Sequence, residues 1–154
     1  MKVQRSNSSL LILGIAVVLI FDACNTSPTE SNSEKLSFSQ EIKLKKYKVH
    51  GEQLYAMHCA NCHQEDGSGL GRLIPPLTNL SQIDKSQTIC TIKFGMEGSM
   101  IVNEVEYNGK MPSNLKLTNL EIAEILTFVG NSWQNESGLV LVSEVGKTLE
   151  QCRR

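Results

Sequence analysis

Cys59, Cys62 and His63 stand within five residues in the stretch CANCHQEDGSGLGRLIPPL, and no other feature restricts the fold as much. Two thiols three residues apart, with an imidazole beside the second, form a donor set that must meet one object. On a helix, positions i, i+3 and i+4 share a face. The preceding residues carry that periodicity. Gly51, Leu54, Tyr55, Met57, His58, Cys59 and Cys62 recur at intervals of three and four, which predicts a helix over 49–63 with one buried side.

Four chemistries use such a cluster. A zinc site needs two further ligands at matching spacing, but Cys90 and Cys152 are isolated and no second pair exists. A thioredoxin-like redox pair needs a βαβ setting, and no strand is predicted before Cys59. A Cys59–Cys62 disulfide leaves His63 without a role. The fourth chemistry is C-x-x-C-H haem attachment, in which two thioethers fix the ring and the imidazole ligates the iron. It accounts for all three residues. Gly67, Gly69 and Gly71 could suggest a phosphate cradle, but no Gly-Lys-Ser/Thr follows and no strand precedes them. They are expected to turn the chain tightly around the haem edge.

The N-terminus supplies the compartment. Lys2 and Arg5 precede an unbroken apolar run over residues 10–21. It is too short for a spanning helix, which needs about 20 residues, but suits the core of an export signal. The run leads into IFDAC, which resembles a bacterial lipoprotein signal, in which the cysteine is lipidated and becomes the mature N-terminus. Residues 1–23 are therefore expected to be the signal, with Cys24 as the lipid site. Cleavage elsewhere and an uncleaved anchor are the alternatives. Residues 24–41, polar and aperiodic, read as a flexible tether, and residues 42–154 as one folded domain. The net charge of −1 gives no sign of nucleic-acid binding. Aromatic residues make up only 5% of the chain, thin for a core of this size unless a cofactor adds apolar bulk.

Further along, a helix is predicted from Asp84 to Phe94, ended by Gly95. MIVNEVEYNG alternates weakly and predicts a small hairpin turning at Asn103-Glu104, where glycine is commoner. Thr118 and Glu121 have capping-box spacing, and Ile122, Ile125, Leu126 and Val129 form one apolar helical face. A last helix is predicted in VSEVGKTLEQC.

Four segments in order carry a resemblance: GEQLYAMHCANCH, GSGLGRLIPPL, YNGKMP and LTNLEIAEILTFVGNSW. Over residues 47–133 the chain resembles the small class I cytochromes c. The resemblance implies an all-α fold, with helices wrapped around one covalently bound haem c and a small hairpin before the methionine ligand. It implies that the Pro75 carbonyl, with Pro76 as its neighbour, accepts a hydrogen bond from His63. It also implies that the closing helix crosses the first near Gly51 and Tyr55, with Ile125 and Phe128 at the contact. The second axial ligand has six candidates: His50, Met57, His58, Met96, Met100 and Met111. Met57 and His58 adjoin Cys59 and His50 lies on the same helix, while Met111 in NGKMP matches the family's ligand position. Trp133 has two readings, a hydrogen bond to a haem propionate or a place at the edge of the core.

His/Met ligation fills both axial positions and favours Fe(II). It implies an electron carrier rather than an enzyme, and the signal segment implies that it is anchored on the periplasmic side through Cys24. Its partners would be redox proteins such as an oxidase, reductase or dehydrogenase. A haem enzyme or gas sensor with a displaceable Met111, and a fixed subunit of a larger oxidoreductase, are the alternatives. The lysines of KLKKYKVH have two readings, a docking patch or a solvated face. Cys90 and Cys152 remain after Cys24, Cys59 and Cys62 are assigned. Two leftover thiols in an exported protein are expected to pair; the alternative is a small buried hydrophobe and a frayed terminal thiol.

Overall fold

Ser37 opens the first helix. Its side chain accepts a bond from the Gln40 N–H while the Gln40 side chain accepts from the Ser37 N–H, a reciprocal capping box. The computed structural model describes residues 36–80 and 84–152. The export-signal run, Cys24 and residues 25–35 lie outside them. Helix α1 runs Phe38–His58, so it starts inside the 24–41 stretch expected to be tether, and well before the expected start at Val49. A one-turn helix α2, Ala60–His63, follows. Then come α3 (Lys85–Phe94), β1 (Met96–Val102), β2 (Val105–Met111), α4 (Asn119–Val129) and α5 (Val142–Gln151).

Local chemistry sets several of these boundaries. Asp84 caps α3 through the Ser86 N–H, and Gly95 at φ 78° ends it. Strands β1 and β2 pair antiparallel from Met96↔Met111 to Val102↔Val105. The turn residues Asn103 and Glu104 both have positive φ, at 47° and 65°, as a two-residue type I′ turn requires. The Asn103 side chain donates to the Thr78 carbonyl, which ties the turn to the loop beneath it. Thr118 and Glu121 make the expected capping box of α4.

Helix α4 differs from its pattern. One apolar face was expected, yet Ala123, Glu124 and Thr127 are buried along with Ile122, Ile125 and Val129. The reason is that α1 packs on one side of α4 and α5 on another. Thr127 is satisfied there, its hydroxyl donating to the Ala123 carbonyl and accepting from the Val140 N–H. Val140 and Val145 complete the core from the C-terminal side. In the structure Cys90 on α3 and Cys152 after α5 form a disulfide with Cα atoms 5.7 Å apart.

The α1–α4 crossing centres on Gly51. A Cβ there would collide with the Glu124 carbonyl and lie 2.8 Å from the Phe128 Cβ. Phe128 is therefore the expected contact, while Glu124 rather than Ile125 supplies the backbone that the glycine faces. Gly51→Ala sets two effects against each other. Alanine gains about 1 kcal/mol of helix propensity, whereas overpacking costs about 1–3 kcal/mol. Because the obstacle is backbone, the cost falls at the upper end. The variant is expected to lose about 1–2 kcal/mol, measured as a lower denaturant midpoint with an unchanged slope.

Candidate haem-binding site

Helix α1 ends one residue before the donor set. The Cys59 N–H still bonds to the Tyr55 carbonyl, but the Cys59 backbone leaves helical geometry, with φ −123° and ψ −38°. The Cys59 carbonyl then accepts from both the Cys62 N–H at 3.1 Å and the His63 N–H at 2.9 Å. The i+3 and i+4 relations thus survive across a break, where one continuous helix to His63 was expected. Exposure is unequal: His63 is buried, Cys59 intermediate and Cys62 exposed. Met57 and His58, expected on the buried side, are exposed as well. The buried stripe of α1 is instead Gly51 and Tyr55, with Leu44, Tyr47 and Leu54 partly covered.

The glycine-rich loop brings the proline to the histidine. The Gly69 N–H bonds to the His63 carbonyl at 3.0 Å, and the Leu77 N–H to the Gly67 carbonyl at 2.8 Å. Leu70 and Ile74 pair across the returning chain. Gly69 has φ +71°, and a Cβ there would lie 2.7 Å from the Pro75 oxygen. Only glycine meets both demands. The result is a 3.1 Å contact between His63 Nδ1 and the Pro75 carbonyl oxygen. A carbonyl can only accept, so Nδ1 carries the proton and Nε2 holds a lone pair. Among the described residues Nε2 has no hydrogen-bond partner. Burial lowers the His63 pKa, opposed by the bond to Pro75, so the ring is neutral at neutral pH, as an iron ligand must be.

Cys59 and Cys62 are not bonded to one another. Burial, with a smaller contribution from Cys62, pushes the Cys59 thiol up to about 11. Tyr55 is buried beside them. Its hydroxyl donates to the Gln64 carbonyl at 2.6 Å, fixing the chain just past His63. Burial foremost, then Cys59 and Asp66, raises its pKa, so it remains a donor.

Other residues frame the site. Trp133 packs against Tyr55 and Phe128, with ring centroids 5.2 and 5.5 Å away, and lies over Gly67. Asn135 is buried, and its importance was not apparent in the sequence. Its amide donates to the Leu77 and Val129 carbonyls, and its oxygen accepts from the Leu80 N–H. It staples the loop after Pro76 to the end of α4. A lone asparagine in a polar stretch carries no pattern that could have marked it. Glu124 is buried as well, and His50, a candidate axial ligand, is engaged by it at 3.2 Å.

Met111 is the last residue of β2 and packs, partly buried, against the core. Met96 faces it across the ladder, and Met100 faces Tyr107. All three methionines are half-buried on the same side of the hairpin, so its alternation alone does not separate them.

The donor chemistry fits haem attachment: two unpaired thiols at the right spacing and a buried imidazole whose Nε2 has no hydrogen-bond partner among the described residues. A small helical domain with this set is, as a class, a c-type haem domain. A family model described as cytochrome c matches residues 49–133, and the chain belongs to that family. Over 89 residues it is 33% identical to cytochrome c-552 of Thermus thermophilus, a match taking in 54% of this chain and 67% of that protein. Over 103 residues it is 29% identical to the cytochrome c subunit of a quinone alcohol dehydrogenase from Gluconacetobacter polyoxogenes, covering 64% of this chain but 22% of that subunit. The family implies a covalent haem and electron transfer. Among the described residues, no helix is long and apolar enough to cross a membrane.

Proposed function

We propose that this chain is a mono-haem cytochrome c that carries single electrons between redox enzymes, attached through Cys59 and Cys62 and ligated by His63 and Met111. The observation that carries the reading is the buried His63 imidazole, with Nδ1 held by the Pro75 carbonyl and Nε2 without a hydrogen-bond partner among the described residues. A bound haem would supply one-electron chemistry, with His63 and Met111 as the residues that would ligate its iron. The chain's own residues hold it. The thiols anchor the ring, Pro75 orients the histidine and raises its basicity, and Gly69 permits that contact. Trp133 remains a candidate for a propionate. The partners would be oxidases, reductases or dehydrogenases. The dehydrogenase-subunit relative supports a second reading, a fixed subunit of a larger complex, which co-purification after mild solubilisation would separate from a free carrier.

Met111→Ala tests the carrier reading. The variant is expected to lose the weak far-red band of iron–thioether bonding, lower the reduction potential and bind carbon monoxide when reduced. Met100→Ala is expected to do none of these. Because both methionines share a face of the hairpin, the reverse result would move the ligand to Met100. Carbon monoxide binding by the unaltered reduced protein would favour the haem enzyme or gas sensor instead.

The anchor belongs to the same proposal and rests on the apolar run over residues 10–21 that leads into Cys24. Labelled palmitate is expected to enter the wild type and not Cys24→Ser. An unlabelled, soluble wild type would remove the anchor and leave the haem reading intact.

A further inference from the structure

Helix α1 extends eleven residues beyond the N-terminal edge of the family match, from Phe38 to Lys48. Its inward stripe is Leu44, Tyr47, Gly51, Leu54 and Tyr55. A second apolar stripe faces the other way. Phe38 is 79% exposed, Ile42 43% and Val49 50%. At about 100° per residue these three fall within roughly 40° of one another, on nearly the opposite side from the buried stripe. Among the described residues all three are exposed, with Val49 at the rim of a cleft that Phe128 also lines.

Charge selects the occupant. Residues 38–49 carry Lys43, Lys45, Lys46 and Lys48 against a single acid, Glu41, a net of +3. Lys45 and Lys46 lie on the two borders of the apolar stripe, where long stems can lie along apolar surface while the ammonium stays in water, and Lys43 and Lys48 lie farther round the helix. An apolar line bordered by lysines is the make-up of a helix that lies in a membrane interface. The position in the chain agrees. Only 13 residues separate Cys24 from Phe38, and a flexible stretch of that length reaches roughly 20 Å.

We infer that the first three turns of α1, Phe38–Val49, form a surface-binding helix that docks the domain on an anionic phospholipid membrane. Phe38, Ile42 and Val49 enter the interface and Lys43, Lys45, Lys46 and Lys48 meet the headgroups. The contact goes beyond the proposed lipid anchor. It turns a swivelling attachment into one with a fixed face toward the bilayer, and it does not depend on the axial ligand or the redox partner.

The test is hydroxyl-radical footprinting, read by mass spectrometry, of the full haem-loaded chain. Vesicles of phosphatidylcholine alone are compared with vesicles containing phosphatidylglycerol. Oxidation of Phe38 and Ile42 is expected to fall about threefold or more on the anionic vesicles. The exposed residues Leu115 and Leu120 serve as references on the same molecule and are expected to stay unchanged. Replacing the four lysines by glutamine is expected to remove the protection. Equal oxidation on both vesicles overturns the inference, as does protection that survives the lysine replacements. Protection that grows with protein concentration without vesicles would assign the stripe to a second copy. Protection only after membrane proteins are added would assign it to a protein partner. Either result overturns the membrane assignment. Flotation with the vesicles reads the anchor while the footprint reads the helix, so the two fail separately.

Discussion

Haem is expected to stay with the wild-type polypeptide through denaturation and acid–organic extraction, and to leave it completely when Cys59 and Cys62 are both replaced by alanine. The two kinds of bond respond differently to acid. Iron coordination by His63 needs a neutral imidazole, which acid protonates, and unfolding removes the Pro75 carbonyl that orients the ring. Thioether bonds are covalent and survive both treatments. Single replacements are expected to retain haem through the remaining sulfur. Peptide mapping would find the haem mass on the Cys59–His63 segment of the wild type. Haem that extracts freely from the wild type, or remains bound to the double variant, would defeat the attachment proposal.

Removing the Cys90–Cys152 disulfide should have the largest effect on stability. The bridge spans 62 residues, and the chain-entropy model gives roughly 4 kcal/mol for a loop of that size. It ties α3 to the end of α5, and α5 contributes the fully buried Val145 to the core. The Cys90→Ala, Cys152→Ala protein should therefore unfold at a clearly lower denaturant concentration, with α5 exchanging its amide hydrogens first. Reducing the wild type should reproduce the shift. The pairing itself is tested by alkylating the unfolded, unreduced protein. Two alkylated cysteines at these positions would remove the bridge, and with it the expected loss.

The first prediction comes from residues whose meaning is local, the second from two leftover thiols 62 residues apart. C-x-x-C-H states its chemistry in five positions. Thr118 and Glu121 announce the start of α4, Gly95 the end of α3, and alternation the hairpin. The box formed by Ser37 and Gln40 was equally legible. The Ser-rich stretch before it has no periodicity, so the pattern alone starts α1 too late.

What the sequence by itself determined is the set of elements and the donor atoms, because caps, turn residues and short spacings act over a few residues of backbone. What only the tertiary structure decided is which surfaces those elements cover. Pro75 reaches His63 because Gly69 leaves room for the returning chain. Glu124 is buried because α1 crosses α4 at Gly51, and Asn135 matters because a loop 55 residues earlier needs its hydrogen bonds. Helix α4 is enclosed because α5 closes over it, and the outward stripe of α1 is exposed among the described residues. Periodicity along one helix says which residues share a face. Whether that face meets a neighbour, a cofactor or water depends on chain segments distant in sequence, and on contacts that no short spacing encodes.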